Sequence, residues 1–228
     1  FDRAAQQVVV ARSWRTGDGE FPLPQLPVGV TAAAGALVGD AVYLAGGTHH
    51  ARADRGAGYC VYNDCAVAAR VLQRERGVGR VLVVDTDVHQ GDGTAAIFAS
   101  DDSVFTFSMH GDENFPAQKA TSDLDLALPT GTADGEYPAR LRDGLAEALA
   151  RAEPRFVFYL SGADPFVGDR LGRLALTKAG LRLRDELVLG ALRDRRLPHV
   201  TVMGGGYGRA IEDTVDVYEA TVRVAVGA

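Results

Sequence analysis

Short apolar runs alternate with longer amphipathic stretches from residue 41 onward. This alternation predicts repeated strand and crossover-helix units around a parallel sheet, the α/β class. The predicted strands are residues 41–45, 80–84, 104–108, 156–160 and 199–203. The predicted helices are residues 64–76, 93–99, 137–152 and 177–196, with one more near the C-terminus. Asp64 and Thr177 stand at predicted helix starts and are expected to be N-caps.

The first 40 residues do not follow this alternation. Glycines and prolines recur between residues 17 and 27, so residues 13–27 are expected to be irregular or loosely attached. A short helix is predicted at 31–38. With 228 residues and 46% hydrophobic content, the chain can bury a substantial core. We expect one domain over residues 1–228, in which residues 1–40 are irregular.

Composition narrows the function classes. A formal net charge of -6 provides no broad basic surface, so nucleic-acid binding is not expected to be the main role. No apolar stretch reaches the roughly 18 to 20 residues that span a bilayer, and the N-terminus does not resemble a signal peptide. We therefore expect a cytoplasmic protein without membrane association. Cys60 and Cys65 are too few for a disulfide framework and are expected to be reduced thiols.

Polar residues and glycines follow every predicted strand. In open parallel sheets, ligands bind beyond the carboxyl ends of the strands. The segments found there are GGTHH at 46–50, DTDVH at 85–89, SMH at 108–110, GAD at 162–164 and GGGY at 204–207. Four of the five histidines lie in these segments. The sequence therefore predicts one polar site at this edge of the sheet.

The residues at this edge have the chemistry of a catalytic metal centre. Asp87, His89 and Asp164 would bind one zinc-type cation and leave a coordination position open for water. Such a centre predicts hydrolysis, because a bound divalent cation activates water and polarises a carbonyl. The paired histidines His49 and His50 would then supply a base.

Three further residues complete the predicted machinery. Asp85 and Asp92 are available as partners that orient the two histidine rings. Tyr207 follows three glycines and can donate a hydrogen bond to a developing oxyanion.

Each element taken alone also has a structural interpretation. Tandem histidines are often a surface or capping pair, and a glycine-rich segment before a tyrosine is often a flexible turn. Asp164 precedes Pro165 and could be a turn residue. Cys60 could be a small buried residue or could line the site. The common position of these segments after predicted strands favours a shared site.

The motifs at these strand ends resemble the zinc-dependent histone deacetylase family, which includes bacterial acetoin-utilisation-type and acetylpolyamine amidohydrolases. The resemblance runs from residue 41 to the C-terminus in the family's order, through GGTHHARADRGAGYCVYND, VVDTDVHQGDGTAAIF, FSMH, SGADPFVGDRLGRLALT and MGGGYG. The sequences of the first and fourth motifs are most similar to those of the class IV branch of the family. The resemblance implies the arginase and deacetylase type of three-layer α/β/α fold with a central, mainly parallel sheet.

The resemblance also implies a role for each site residue. Asp87, His89 and Asp164 would bind one zinc ion. His50 would be the general base and acid, with His49 as its electrostatic partner. Asp85 would support His49, Asp92 would support His50, and Tyr207 would stabilise the oxyanion. The residues that would line the substrate tunnel are Gly58, Tyr59, Phe115 and Gly206. The residues that would coordinate a potassium ion are Asp85, Asp87, His89, Ser108 and Met109.

The expected function is hydrolysis of an N-acyl amide on an acylated lysine, a polyamine or a small molecule. An arginase-like ureohydrolase is the rival enzyme, but it needs additional carboxylates to bridge two manganese ions. A catalytically silent acyl-group-binding subunit is the third hypothesis. It arises because only 48 residues precede the tandem histidines, fewer than in most of the family. A fragment and a natural short form both fit that difference, and the oligomeric state is left open.

Overall fold

The computed structural model describes residues 13–16, 19–22, 35–38 and 41–227, with side-chain surroundings from residue 46 onward. The strands are β1 Ser13–Thr16, β2 Gly19–Pro22, β3 Gly35–Val38, β4 Ala41–Ala45, β5 Val81–Asp85, β6 Val104–Gly111, β7 Leu124–Leu128, β8 Phe156–Leu160 and β9 His199–Met203. The helices are α1 Asp64–Arg76, α2 Asp92–Phe98, α3 Tyr137–Ala152, α4 Lys178–Asp194 and α5 Ile211–Val226. The predicted α/β alternation is confirmed. None of the helices in these ranges is long and apolar enough to cross a membrane.

Seven strands form the main sheet in the order β3-β4-β9-β8-β5-β6-β7. Every neighbouring pair from β4 to β7 is parallel, and β3 alone is antiparallel to its neighbour. β5 and β8 lie inside this sheet and are buried at all five positions. Their nearly continuous apolar sequences are typical of parallel strands that are covered on both faces.

The two faces of β5 belong to two different cores. Leu82 and Val84 pack into a large apolar cluster with residues of α3, α4 and α5, whereas Val81 and Val83 pack with residues of α1 and α2. Successive side chains of a strand point to opposite faces, so one Val-rich strand serves both layers. This arrangement produces the three layers and leaves the carboxyl ends of the strands free of helices.

Helix capping contributes directly to the loop that carries the histidine pair. Thr177 caps α4 as predicted, but the N-cap of α1 is Asn63 rather than Asp64. The Asn63 side chain accepts a hydrogen bond from the Ala66 amide, which leaves Asp64 in the first turn. Asp64 instead accepts hydrogen bonds from the amides of Gly47 and Thr48, at 2.7 and 3.1 Å. The helix start therefore positions the loop that precedes His49.

Two predictions for the N-terminal region are wrong where the structure describes it. Residues 35–38 form a strand and not a helix, because pairing with β4 supplies their backbone hydrogen bonds. A short apolar run is compatible with either structure from pattern alone. Residues 13–16 and 19–22 are also not irregular, since β1 and β2 pair as an antiparallel ribbon, while the alternative that this segment is loosely attached stays a prediction. The other residues of the ranges 13–27 and 31–38 lie outside the described ones.

Candidate active site

Four loops meet at the carboxyl edge of the sheet. They follow β4, β9, β8 and β5, which are consecutive in the strand order. These loops carry the paired histidines, the three glycines, Asp164 and the segment between Asp85, which ends β5, and Asp92, which begins α2. The site predicted from strand ends is thus assembled by the topology, which places distant sequence segments side by side.

Asp87, His89 and Asp164 converge at the centre of this edge. His89 Nδ1 lies 3.0 Å from Asp87 Oδ1 and 3.1 Å from Asp164 Oδ2. One ligand atom of each residue lies within 4.8 Å of the others, and within the described part of the chain no other such group of histidine, cysteine and carboxylate residues could hold a metal ion. Both carboxylates are fully buried.

Main-chain amides donate hydrogen bonds to one carboxylate oxygen of Asp87 and one of Asp164. Gly205 N donates to Asp87 Oδ2 at 2.7 Å, and Val88 N donates to Asp164 Oδ1 at 2.9 Å. A Cβ at Gly205 would lie 2.1 Å from Asp164 Oδ2, so only glycine allows this approach. Two oriented carboxylates and one imidazole nitrogen form a donor set that suits zinc and leaves room for further ligands.

The charges within this triad are strongly coupled. Burial alone would lower the pKa of His89, but hydrogen bonds to Asp164 and Asp87 outweigh it and raise the pKa to about 10. Burial and the neighbouring Asp87 raise the pKa of Asp164 to about 7. Two carboxylates so close together resist joint ionisation unless a positive charge lies between them. The protonated imidazole of His89 lies between the two carboxylates and supplies such a charge, and a metal cation bound by the same three residues would take its place.

Each of the paired histidines has a carboxylate behind its ring. His49 Nδ1 lies 2.6 Å from Asp85 Oδ2, and His50 Nδ1 lies 2.8 Å from Asp92 Oδ1. Both rings are buried, and their centroids are 4.1 Å apart. With Nδ1 engaged, Nε2 is the nitrogen left for chemistry, and in His49 it lies 3.8 Å from Asp87 Oδ1.

The two histidines are nevertheless electrostatically different. For His49, burial opposes protonation, but Asp85 and Asp87 prevail and raise the pKa to about 9. For His50, burial lowers the pKa, and the adjacent His49 lowers it further despite Asp92. His50 is therefore the ring that is neutral at pH 7 and able to accept a proton.

The mouth of the site contains the other predicted residues. Phe115 meets the His50 ring edge-on with centroids 4.8 Å apart, and a Cβ at Gly58 would lie 2.2 Å from the same ring. Tyr59 is 90% exposed, and its ring lies 6.4 Å from that of Tyr207. Tyr207 is half exposed, and burial, followed by the nearby Tyr59 and Asp164, raises the pKa of its phenol. It is therefore a hydrogen-bond donor at neutral pH.

Several supporting residues carried no recognisable sequence signal. Arg52 donates to the second oxygen of Asp92 at 2.9 Å and so completes the support behind His50. Asp169 accepts the Tyr207 amide at 2.6 Å, and Tyr218 donates to the carbonyls of Gly204 and Gly205. Arginine and tyrosine are common on helices and loops, so only tertiary contacts identify these roles.

The remaining predicted residues lie close by. Gly206 follows Gly205 and approaches Ala163, where an added Cβ would lie 3.0 Å from the Ala163 Cβ. Ser108 is the register partner of Asp85 across β5 and β6, and Met109 is fully buried beside it. Their role at a potassium ion stays a prediction.

The structure also defines the environments of two further polar residues, His110 and Cys60. His110 lies inside β6, where its Nδ1 is 3.0 Å from Ser108 Oγ. Burial raises the pKa of Cys60, which therefore remains a thiol.

Comparison with known proteins agrees with this geometry. The histone deacetylase domain matches residues 25–224. The chain is 50% identical over 177 residues to an uncharacterized protein of Picosynechococcus sp., covering 78% of this chain and 59% of that protein. It is 30% identical over 223 residues to histone deacetylase 1 of Homo sapiens, covering 91% of this chain and 45% of that one. An acetylpolyamine aminohydrolase from Burkholderia pseudomallei aligns with a TM-score of 0.68 and 30% identity, covering 79% of this chain and 54% of that one. The chain spans about half the length of the curated relatives that it matches.

Proposed function

Because this chain belongs to the histone deacetylase family, we propose that it is a zinc-dependent amidohydrolase acting on linear N-acyl amides. Its substrate would be an acetylated amine such as acetyl-lysine or an acetylpolyamine. The observation that carries this proposal is the buried triad of Asp87, His89 and Asp164 beside two histidines, each with its own carboxylate. Zinc bound by this triad would activate water and polarise the amide carbonyl.

The paired histidines would divide the proton transfer between them. His50 would take a proton through Nε2 and return it to the departing amine, while Asp92 keeps the ring in the required tautomer. His49, whose pKa Asp85 and Asp87 raise despite its burial, would stabilise negative charge as it develops. The lowered pKa of His50 beside a protonated His49 supports this assignment.

Tyr207 would donate a hydrogen bond to the oxygen of the amide carbonyl as it becomes an oxyanion. The bond from its amide to Asp169 holds the segment that presents the phenol. The glycines before it allow the chain to pass close to the ligating carboxylates. A donor placed before the reaction begins stabilises the transition state without reorganisation.

Surface charge also favours an amine substrate. The formal net charge of -6 attracts cations such as polyamines and lysine-rich peptides. The exposed Tyr59 and Phe115 provide apolar surface along which an acyl-lysine stem could lie.

The ureohydrolase alternative requires two bridged metal ions. Among residues 46–227, one group of histidine and carboxylate ligands is close enough to bind a cation, and it offers three ligand atoms. This ligand supply supports a mononuclear site. Measurement of two manganese ions per chain, together with guanidine hydrolysis, would instead favour the ureohydrolase.

The proposal is tested by deacylation assays on the zinc-loaded protein. The substrates would be acetyl-lysine peptides, acetylpolyamines and a long-chain acyl-lysine, with zinc measured on the same sample. Tyr207→Phe should lower kcat by about 10²–10³-fold with unchanged zinc content, since it removes one oxyanion donor. Tyr62→Phe, at another exposed tyrosine, is the matched control and should retain activity.

Two results would contradict the proposal. Full activity of Tyr207→Phe would remove the oxyanion role from this residue. A zinc-loaded wild-type protein that binds acylated amines but hydrolyses none would support the silent acyl-binding subunit.

A further inference from the structure

Lysine is rare in this chain. Lys119 and Lys178 are the only lysines among 24 basic residues. An ammonium group is a compact charge with three donors, whereas a guanidinium is a planar fork that cannot direct three donors at one small cluster of oxygens. The surroundings of each lysine therefore show whether the compact group has a task that arginine could not perform.

The ammonium of Lys119 is bound by three main-chain carbonyls. Its Nζ donates to Asp112 O at 2.8 Å, to Asn114 O at 2.6 Å and to Pro116 O at 2.8 Å. These contacts use all three donors of the ammonium. Because the three acceptors belong to alternate residues, the loop from residue 112 to residue 116 curls around this single atom.

This loop presents Phe115 to the proposed catalytic base. Phe115 lies between two of the carbonyls that Lys119 holds, and its ring meets that of His50 edge-on at 4.8 Å. Its own carbonyl accepts the amide of Gln90, at 3.3 Å. The aromatic ring beside His50 is thus carried by a loop that the lysine ammonium binds from inside, while the Asn114 side chain ties the same loop to Leu171 and Arg173.

The backbone beside Lys119 is itself anchored. The buried side chain of Gln90 accepts the Ala120 amide at 2.8 Å and donates to the Ala120 carbonyl at 2.9 Å. Gln90 directly follows His89, so the anchor is built on the same segment as the candidate metal ligands. The lysine stem therefore connects a rigid part of the site to the loop at its mouth.

We propose that Lys119 is a positioning residue that sets the width and shape of the substrate entrance by holding Phe115 beside His50. The kinetic consequence rests on the proposed deacylase function, whereas the effect on the loop does not. Loss of the ammonium would release Phe115 without removing any group that contacts the metal site. Substrate binding should weaken more than the chemical step.

The kinetic test uses Lys119→Met, Lys119→Arg and the control Lys178→Met in the zinc-loaded protein. Lys178 pairs with Asp213 and Asp216 on α5 and has no contact with the loop, so its loss should change neither constant. Lys119→Met should raise KM for an acetyl-lysine peptide about tenfold and leave kcat within about threefold. Lys119→Arg should not restore KM, although it keeps the charge.

Hydrogen–deuterium exchange provides a readout that is independent of activity. The amides of Asp112 and Asn114, which donate to Leu128 and Gly111, should exchange faster in Lys119→Met than in the wild type or Lys178→Met. Unchanged exchange in this loop would overturn the inference. A fall in kcat at constant KM, in proportion to the folded fraction, would also overturn it, because it would indicate only a general effect on stability.

The two proposals can fail separately. If the wild type hydrolyses no acylated amine, the proposed function fails, and exchange alone decides whether Lys119 holds the loop. If the wild type is active and Lys119→Met changes neither KM nor exchange, the positioning role fails and the proposed function stands.

Discussion

Replacing Gly58 by alanine would test the position of His50 directly. Gly58 has a φ of +52° in the tight turn before Tyr59. A Cβ there would lie 2.2 Å from Cδ2, 2.6 Å from Cγ and 2.8 Å from Cβ of His50. Carbon atoms in contact are normally about 3.5–4.0 Å apart, so the ring or the turn must move by more than about 1 Å.

The size of the effect follows from this displacement. The left-handed backbone conformation should cost an alanine about 1–2 kcal/mol of stability. The His50 ring cannot move freely, because Asp92 holds its Nδ1 and the Phe115 ring packs against it edge-on. A misplacement of about 1 Å in a catalytic group can lower the rate about 10²-fold. We therefore expect kcat to fall by about that factor.

Gly77 supplies a matched control for the backbone strain. It ends α1 with a φ of +65° and has no atom within 4 Å of its added Cβ. Urea denaturation should show a loss of about 1–2 kcal/mol for Gly77→Ala, from the backbone conformation alone, and a larger loss for Gly58→Ala, which adds the clash with His50. Only Gly58→Ala should lose kcat at unchanged zinc content. Equal activity of the two variants would refute either the role of His50 as the base or its close approach to Gly58.

Two further predictions concern protons and stability. In the free protein the pKa of His89 is raised to about 10 and that of Asp164 to about 7, so a cation must displace protons and its affinity should rise from pH 6 to pH 8. Calorimetry in buffers of different ionisation enthalpy measures the released protons, and a pH-independent affinity would contradict this expectation. Arg184→Met leaves the buried Asp185 without its guanidinium partner and should lower the free energy of unfolding by about 3–5 kcal/mol. Urea denaturation measures this loss, with Arg182→Met at an exposed position as the control. Equal denaturation midpoints of the two variants would show that the buried pair of Arg184 and Asp185 is dispensable for stability.

The parallel core was the most predictable part of the fold. The strand at 156–160 and the helices at 64–76 and 137–152 have the predicted bounds, because buried parallel strands and amphipathic helices leave strong periodic patterns. The start of β5 and the end of β6 differ by one to three residues, since strand ends depend on neighbouring strands. The helix predicted at 31–38 is wrong at β3 for the same reason, as the structure of β3 comes from pairing with β4.

The candidate site was predictable where its side chains are chemically distinctive. Histidines and aspartates directly after strands indicate a metal centre, because few structural roles need them there. Arg52 and Lys119 could not be assigned in this way. Their roles depend on contacts with Asp92 and with three main-chain carbonyls, and carbonyl acceptors leave no side-chain signature.

By itself, the sequence determined the fold class, the edge of the sheet that carries the site and the identity of the candidate metal ligands. Those features follow from local periodicity and from residue chemistry. The tertiary structure decided which histidine is the neutral one, since the pKa values of His49 and His50 depend on how closely carboxylates approach each ring. It also shows that the Lys119 ammonium is bound by three main-chain carbonyls of the loop that carries Phe115, because such contacts are a matter of distances between atoms that sequence alone does not give.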